Sequence, residues 1–429
     1  MNWLYSAALA GLALLPHPGL AAPVDAAGPT FADVLARPDD TALNLAYAHR
    51  LIREDHLNAA AATLERILLL RPDADDVRVT YMIVLYRLDD LAGARREADV
   101  LKTRQLAGAL AADYARYSER IYALAKPTRF AAYLGSGVRV DTDVTYLTED
   151  DGTRPKNGDV SYVSMAGLAV EHRPGSGPID KVFAQFDLGS KMNAEHSDYN
   201  ILTGRFEAGL EKRFGGLVAR VSGFAAASLV DRELFSRDAG GRLRLGYEID
   251  ARLQVFADGE IAYTGYDDID VAVNETEHDG ARWRAGGGLV FQATDQHQFV
   301  LQSHAAGKDA RSNAYAYDAA DVEAKWLGTF TGGQYMSAGL RYAAVDYRGF
   351  DTDYGETRSD RVTRARVSYG LPVRTLGGWM GVDTSGGFFN FGDLVLQTSL
   401  DYVRQNSNIS DFDYSNLGAE VLLTRRFQF

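Results

Sequence analysis

Arginine and glutamate recur at alternate positions in the last two thirds of the chain, as in Arg205-x-Glu207, Arg242-x-Arg244, Arg282-x-Arg284 and Arg364-x-Arg366, with Glu323 among them. Alternation puts such residues on one face of an extended strand. If the strand crosses a bilayer, a charge facing lipid at mid-depth costs about 2–4 kcal/mol, so these side chains must point inward. Two chemistries follow. The charges line a polar conduit or selective pore, or they pair with one another and fill a lumen intermediate between packed and open barrels. The spacing alone leaves both open.

Catalytic patterns are weak. There is no Gly-x-Ser-x-Gly elbow, phosphate-binding Gly-Lys motif or His-Glu-x-x-His zinc motif. Ser303 and His304 are adjacent, so on a strand they face opposite sides and cannot act together. His49 and His56 do not make a metal pair. Cysteine is absent, which excludes disulfides, thiolate metal sites and a cysteine nucleophile. Two loops, 266–279 and 346–360, are acidic, but neither has the spaced pattern of a dedicated calcium loop and both read as solvated loops. Lys and Arg number 45 against 58 Asp and Glu, a net charge of −13, which argues against nucleic acid as a partner. Neither an enzyme nor a cofactor is expected.

The elements that hold these charges are short and numerous. From 127 to 429, segments of about ten residues alternate in polarity and are separated by Gly, Asp and Asn clusters, the signature of transmembrane strands. In one, Val182, Ala184, Phe186 and Leu188 alternate with Phe183, Gln185 and Asp187. About fourteen strands are expected, the first near 130–143 and the last near 414–429. On the last, Leu417, Ala419, Val421, Leu423, Phe427 and Phe429 share a face. A terminal aromatic there reads as the signal for barrel insertion, carried by Phe427 and Phe429. An even count puts both ends on one side, taken as the periplasm, with short Gly-rich turns there (Gly215-Gly216, Gly332-Gly333) and longer external loops. The glycine- and aromatic-rich segment 375–393 does not fit that scheme. It could be a hairpin, a plug or a contact loop.

The N-terminal part is different. Residues 1–21 read as a secretory signal cut after Ala21, and 22–37 as a linker. Residues 38–126 have a helical apolar period and repeat at an offset of 34: Pro38 and Pro72, Tyr47 and Tyr81, Leu51 and Leu85, Ala60 and Ala94. That is the tetratricopeptide period, two antiparallel helices per unit. In that register Leu45, His49, Ile52, Val79, Ile83 and Tyr86 line a concave face that could take a partner, or they simply pack on the next helix. The expected fold is therefore α + β: a short tetratricopeptide-like domain followed by an antiparallel transmembrane barrel.

This architecture resembles the Slam family, the surface lipoprotein assembly modulators of type XI secretion. The residues that carry the likeness are His49, Asp55-His56-Leu57 with Ala60, the run from Arg78 to Leu101, and the ending from Arg404 to Phe429 with Ser407-Asn408-Ile409 ahead of Phe412-Asp413-Tyr414. The resemblance implies a barrel in the outer membrane that moves a lipoprotein or small secreted protein to the cell surface, with the periplasmic helical domain receiving the client and no cofactor. Its partners would be outer-membrane lipids, the exported client and the barrel-insertion machinery. The rival readings are a passive porin and a polysaccharide exporter with a helical appendage.

Overall fold

The computed structural model describes residues 28–54, 56–88, 90–124, 126–144, 157–174, 178–269, 275–294, 296–381 and 394–428. The expected signal segment and Phe429 lie outside these. The chain divides after Arg129 into a helical unit and a barrel.

The helical unit contains α1 (Phe31–Ala36), α2 (Thr41–Arg53), α3 (Leu57–Leu70), α4 (Asp75–Arg87), α5 (Leu91–Leu101) and α6 (Gly108–Leu124). Helix α1 falls inside the expected linker, so 22–37 is not connection alone. A capping box starts it: the Thr30 hydroxyl accepts from the Asp33 amide while the Asp33 carboxylate accepts from the Thr30 amide. The starts of α2 and α4, and of α3 and α5, are each offset by 34 residues, so the sequence repeat is a repeat of helical hairpins. Asp40 caps α2 through the Leu43 amide and Asp90 caps α5 through the Gly93 amide. Ala60 and Ala94 have no exposed surface; their small side chains let paired helices approach closely. Ala48, Leu51, Leu64 and Ile67 pack into one core. Met82, Leu101, Tyr117 and Ile121 pack into another, in which α6 closes the second hairpin. Burying each large side chain of this kind contributes about 1.5–3 kcal/mol.

The barrel has fourteen strands. They are β1 (Thr128–Asp141), β2 (Asp159–His172), β3 (Lys181–Asn193), β4 (Ile201–Phe214), β5 (Leu217–Val230), β6 (Glu233–Glu248), β7 (Leu253–Tyr266), β8 (Gly280–Thr294), β9 (His297–Ala310), β10 (Tyr317–Thr329), β11 (Tyr335–Tyr347), β12 (Ser359–Pro372), β13 (Leu394–Ser407) and β14 (Tyr414–Gln428). Every strand neighbours the next in sequence, and β1 pairs antiparallel with β14 to close the ring. Closure removes the unpaired edges that a bilayer would not tolerate. Leu134, Phe206, Ile261, Leu340 and Val421 are exposed on the outer face, while Arg205, Glu211, His304 and Asp401 on the inner face are buried. This inversion, apolar outside and polar inside, is what lipid requires of a barrel.

The even strand number brings the start of β1 and the end of β14 to one rim, here the near rim. Turns there include 215–216, where Gly215 takes φ +62°. The far rim carries 267–279 and 348–358, and also a turn of only two residues, Asp231 and Arg232, both at positive φ. That conformation matches strand twist but usually recruits Gly or Asn. Asp-Arg does not advertise it, and β6 accordingly begins at Glu233 rather than near 240. In the segment 375–393, Val373–Met380 form a helix, α7, ended by Gly381 at φ 69°; residues 382–393 lie outside the described part.

Candidate functional site

Hydrogen-bonded register turns the alternating charges into a belt on the inner wall. From β4 to β11 the contacts run strand to strand. Arg205 lies 3.2 Å from Glu207, and the Ser222 hydroxyl donates to Glu207 at 2.8 Å. Arg242 pairs with Glu260. Arg282 reaches Glu260 at 2.6 Å and Asp238 at 2.7 Å. Further round, Arg284 lies 3.2 Å and Arg341 3.0 Å from Asp321. His304 sits between Asp258 and Asp321, its ring nitrogens 3.4 and 3.6 Å from their carboxylates. Glu323 pairs with Lys325 at 2.9 Å. Arg341 and Arg364 are register partners across β11 and β12.

A second group spans the closing seam. Arg139 on β1 donates to Asp141 at 2.6 Å and reaches over β14 to Asp401 on β13 at 2.7 Å. Lys191 lies 2.7 Å from Asp141, and the Asn416 amide donates to the same carboxylate at 2.8 Å. Arg366 meets Glu420 at 3.2 Å. The Asp141 side chain has 0% exposure. Burying a carboxylate so fully is tolerable only with such partners.

Gly418 makes this crossing possible. It faces inward between Arg139 and Asp401, and a Cβ there would collide with the Arg139 guanidinium.

The inner-wall residues expected from alternation, Arg205, Glu207, Arg242, Arg244, Arg282, Arg284, Glu323, Arg364 and Arg366, all sit in the inward register. Sequence reasoning missed Arg139, Asp141, His304 and Asp321 as network members. The Arg139-x-Asp141 spacing carried the same alternation signal and could have found two of them.

At the far rim, aromatic side chains gather. His278, in a short helical turn (Glu275–His278), stacks on Tyr315 at 3.7 Å and meets the edge of Tyr266 at 5.8 Å. Burial, with Lys308 and Arg358 nearby, pushes its imidazole down to about 4. Arg358 lies 3.5 Å over Phe412 and 4.7 Å over Tyr347. The loop acids are partly spoken for: Asp279 pairs with Arg311 and Asp360 with Arg358.

The expected groove of the helical unit is only half open. Val79 and Tyr86 are buried, at 2% and 8% exposure, because α6 covers them; Tyr86 meets Tyr117 edge-on at 5.7 Å. They are core, not lining. Ile83, Leu45 and Ile52 are half-buried and His49 is exposed, so accessible surface is concentrated on α2. The last-strand aromatic Phe427 lies under the Arg425 guanidinium at 4.8 Å.

Residues 181–374, the heart of this wall, match the family model for surface lipoprotein assembly modifier. That match runs from the start of β3 through β12. No curated protein matches the chain. Solved structures similar to it include OccAB4 of Acinetobacter baumannii, with 8% identity, 70% of this chain and 98% of that one covered, and a TM-score of 0.34. A loop-deleted OmpT, an outer membrane protein of Vibrio cholerae, gives 10%, 70%, 99% and 0.37. A bacterial polysaccharide outer membrane secretin gives 10%, 70%, 98% and 0.30.

Proposed function

We propose that this chain is an outer-membrane translocon that carries a lipoprotein or small secreted protein from the periplasm to the cell surface. The observation that carries the reading is the surface lipoprotein assembly modifier match on strands whose inner wall is a charged belt. Under this reading the near rim faces the periplasm and the outer apolar face meets outer-membrane lipids. The insertion machinery reads Phe427 and Phe429, and the tetratricopeptide-like unit receives the client. The half-exposed apolar residues Leu45 and Ile52, with His49, offer that client a surface. The work is non-covalent: partner capture and passage, with no bond made or broken.

The test is surface display of a candidate client lipoprotein co-expressed with this chain. Removing residues 22–126 is expected to leave a folded, heat-modifiable barrel and abolish display. Replacing Ile52 and Ile83 with Asp is expected to weaken display while helical circular dichroism is kept; Tyr86 is left intact because it is core. Unchanged display after the deletion, with ordinary small-solute conductance from the purified protein, would overturn the proposal in favour of a passive channel.

A further inference from the structure

One cation on the inner wall has no counterion of its own. Arg244 on β6 is exposed into the lumen, and its guanidinium lies 4.1 Å over the inward ring of Phe256. Among the described residues it makes no hydrogen bond or ion pair. Its register partner on β5 is Arg220, already 2.9 Å from Glu211 and stacked on Phe183 at 4.6 Å. Arg242, two positions along, is held by Glu260. The acid facing Arg244 across β6 and β7 is Asp258, whose carboxylate is turned to His304 at 3.4 Å. Three guanidinium groups therefore converge on one stretch of wall, and the carboxylates around them are shared with other bases. The next strand adds no bulk: Gly286 and Gly288 pair with Asp258 and Phe256 and present no side chain there.

We propose that Arg244, backed by Phe256 and flanked by Arg220 and Arg242, is a binding subsite for organic carboxylates inside the barrel. A planar guanidinium with one face on an aromatic ring keeps its N–H edge for a carboxylate, and that edge can bind it through two parallel hydrogen bonds. The same edge would take a free organic acid or a carboxylate of a polypeptide passing through. The subsite does not depend on translocation. Unchanged client display after removal of residues 22–126, with intact carboxylate binding, would sink the translocon reading and leave this one.

Saturation-transfer NMR on the full chain in detergent micelles tests it, at low salt so that chloride does not screen the site. The probes are benzoate, a short Asp-rich peptide and, as an uncharged control, benzyl alcohol. Benzoate is expected to bind, with affinity about tenfold weaker in Arg244→Gln. Arg244→Lys, which keeps charge but loses the planar fork, and Phe256→Leu, which removes the ring, are expected to fall between. Heat-modifiable migration of each variant reports that the barrel is folded. Binding of the peptide in competition with benzoate would assign the subsite to a passing chain, and binding of benzoate alone would assign it to a solute. Equal signals from wild type and a folded Arg244→Gln, or no signal above benzyl alcohol from either probe, would overturn the proposal.

Discussion

The helical unit and the barrel bury opposite kinds of side chain. The helical interior is hydrocarbon: Leu64, Ile67, Met82 and Ile121 have almost no exposed surface. The barrel interior holds Asp141, Arg205, His304 and Asp401, which are buried too. The difference follows from what lies outside each. Water surrounds one, so its apolar groups turn in; lipid surrounds the other, so its charges do. A buried apolar residue is stabilised by leaving water and can be trimmed with graded loss. A buried ion is held only by its partners, and removing one partner strands the other.

That contrast can be broken at the seam. Arg139→Ala leaves Asp141 and Asp401 without their main counter-charge and is expected to cost about 3–5 kcal/mol, read as a lower temperature for the heat-modified gel shift. Arg139→Ala combined with Asp401→Asn is expected to recover part of that loss; a double variant as weak as the sum of the singles would mean that the two side chains do not act together. In the helical unit, Leu64→Ala is expected to cost about 2–5 kcal/mol through lost burial and the cavity left behind. Thermal circular dichroism should show the helical signal melting earlier while the barrel's gel shift is unchanged.

The smallest effect concerns pH at the far rim. The folded value of His278, about 4, lies below its ordinary 6.5, so the neutral ring is the one that packs. An unfolded loop takes up a proton as the pH falls through about 6.5, whereas the packed loop does not until about 4. Loop stability is therefore complete above that window and is lost on descending through it. Lys308 and Arg358 oppose a charged ring and Asp279 favours one. Amide exchange at 275–278, corrected for intrinsic rates, should speed up between about pH 7 and 4.5 in the native chain, and should be flat in His278→Phe.

Much of the barrel was legible because a strand in lipid has a simple alphabet. Alternation set a count of about fourteen strands and the facing of Arg205 or Leu243. The offset of 34 likewise marked the hairpins through Ala60 and Ala94. What escaped was whatever depended on partners distant in sequence. Arg139 and Asp401 are 262 residues apart and meet only when the ring closes. Tyr86 had the periodicity of a groove residue, yet the docking of α6 decides its burial. Helix α1 was hidden in a stretch too short for periodicity, although its Thr30 and Asp33 capping pair was there to be read. The Asp231-Arg232 turn lacked the residues that normally announce it.

Gly418 also has a meaning at the level of the gene. Every missense change that one nucleotide can make in a glycine codon adds at least a Cβ, and here that atom would displace the guanidinium pinned between Asp141 and Asp401. Each such allele is expected to loosen the Arg139 clamp. On either side, Leu417 and Ala419 face outward and can drift among apolar residues. A drifting lineage would vary at both neighbours and stay fixed at the glycine between them.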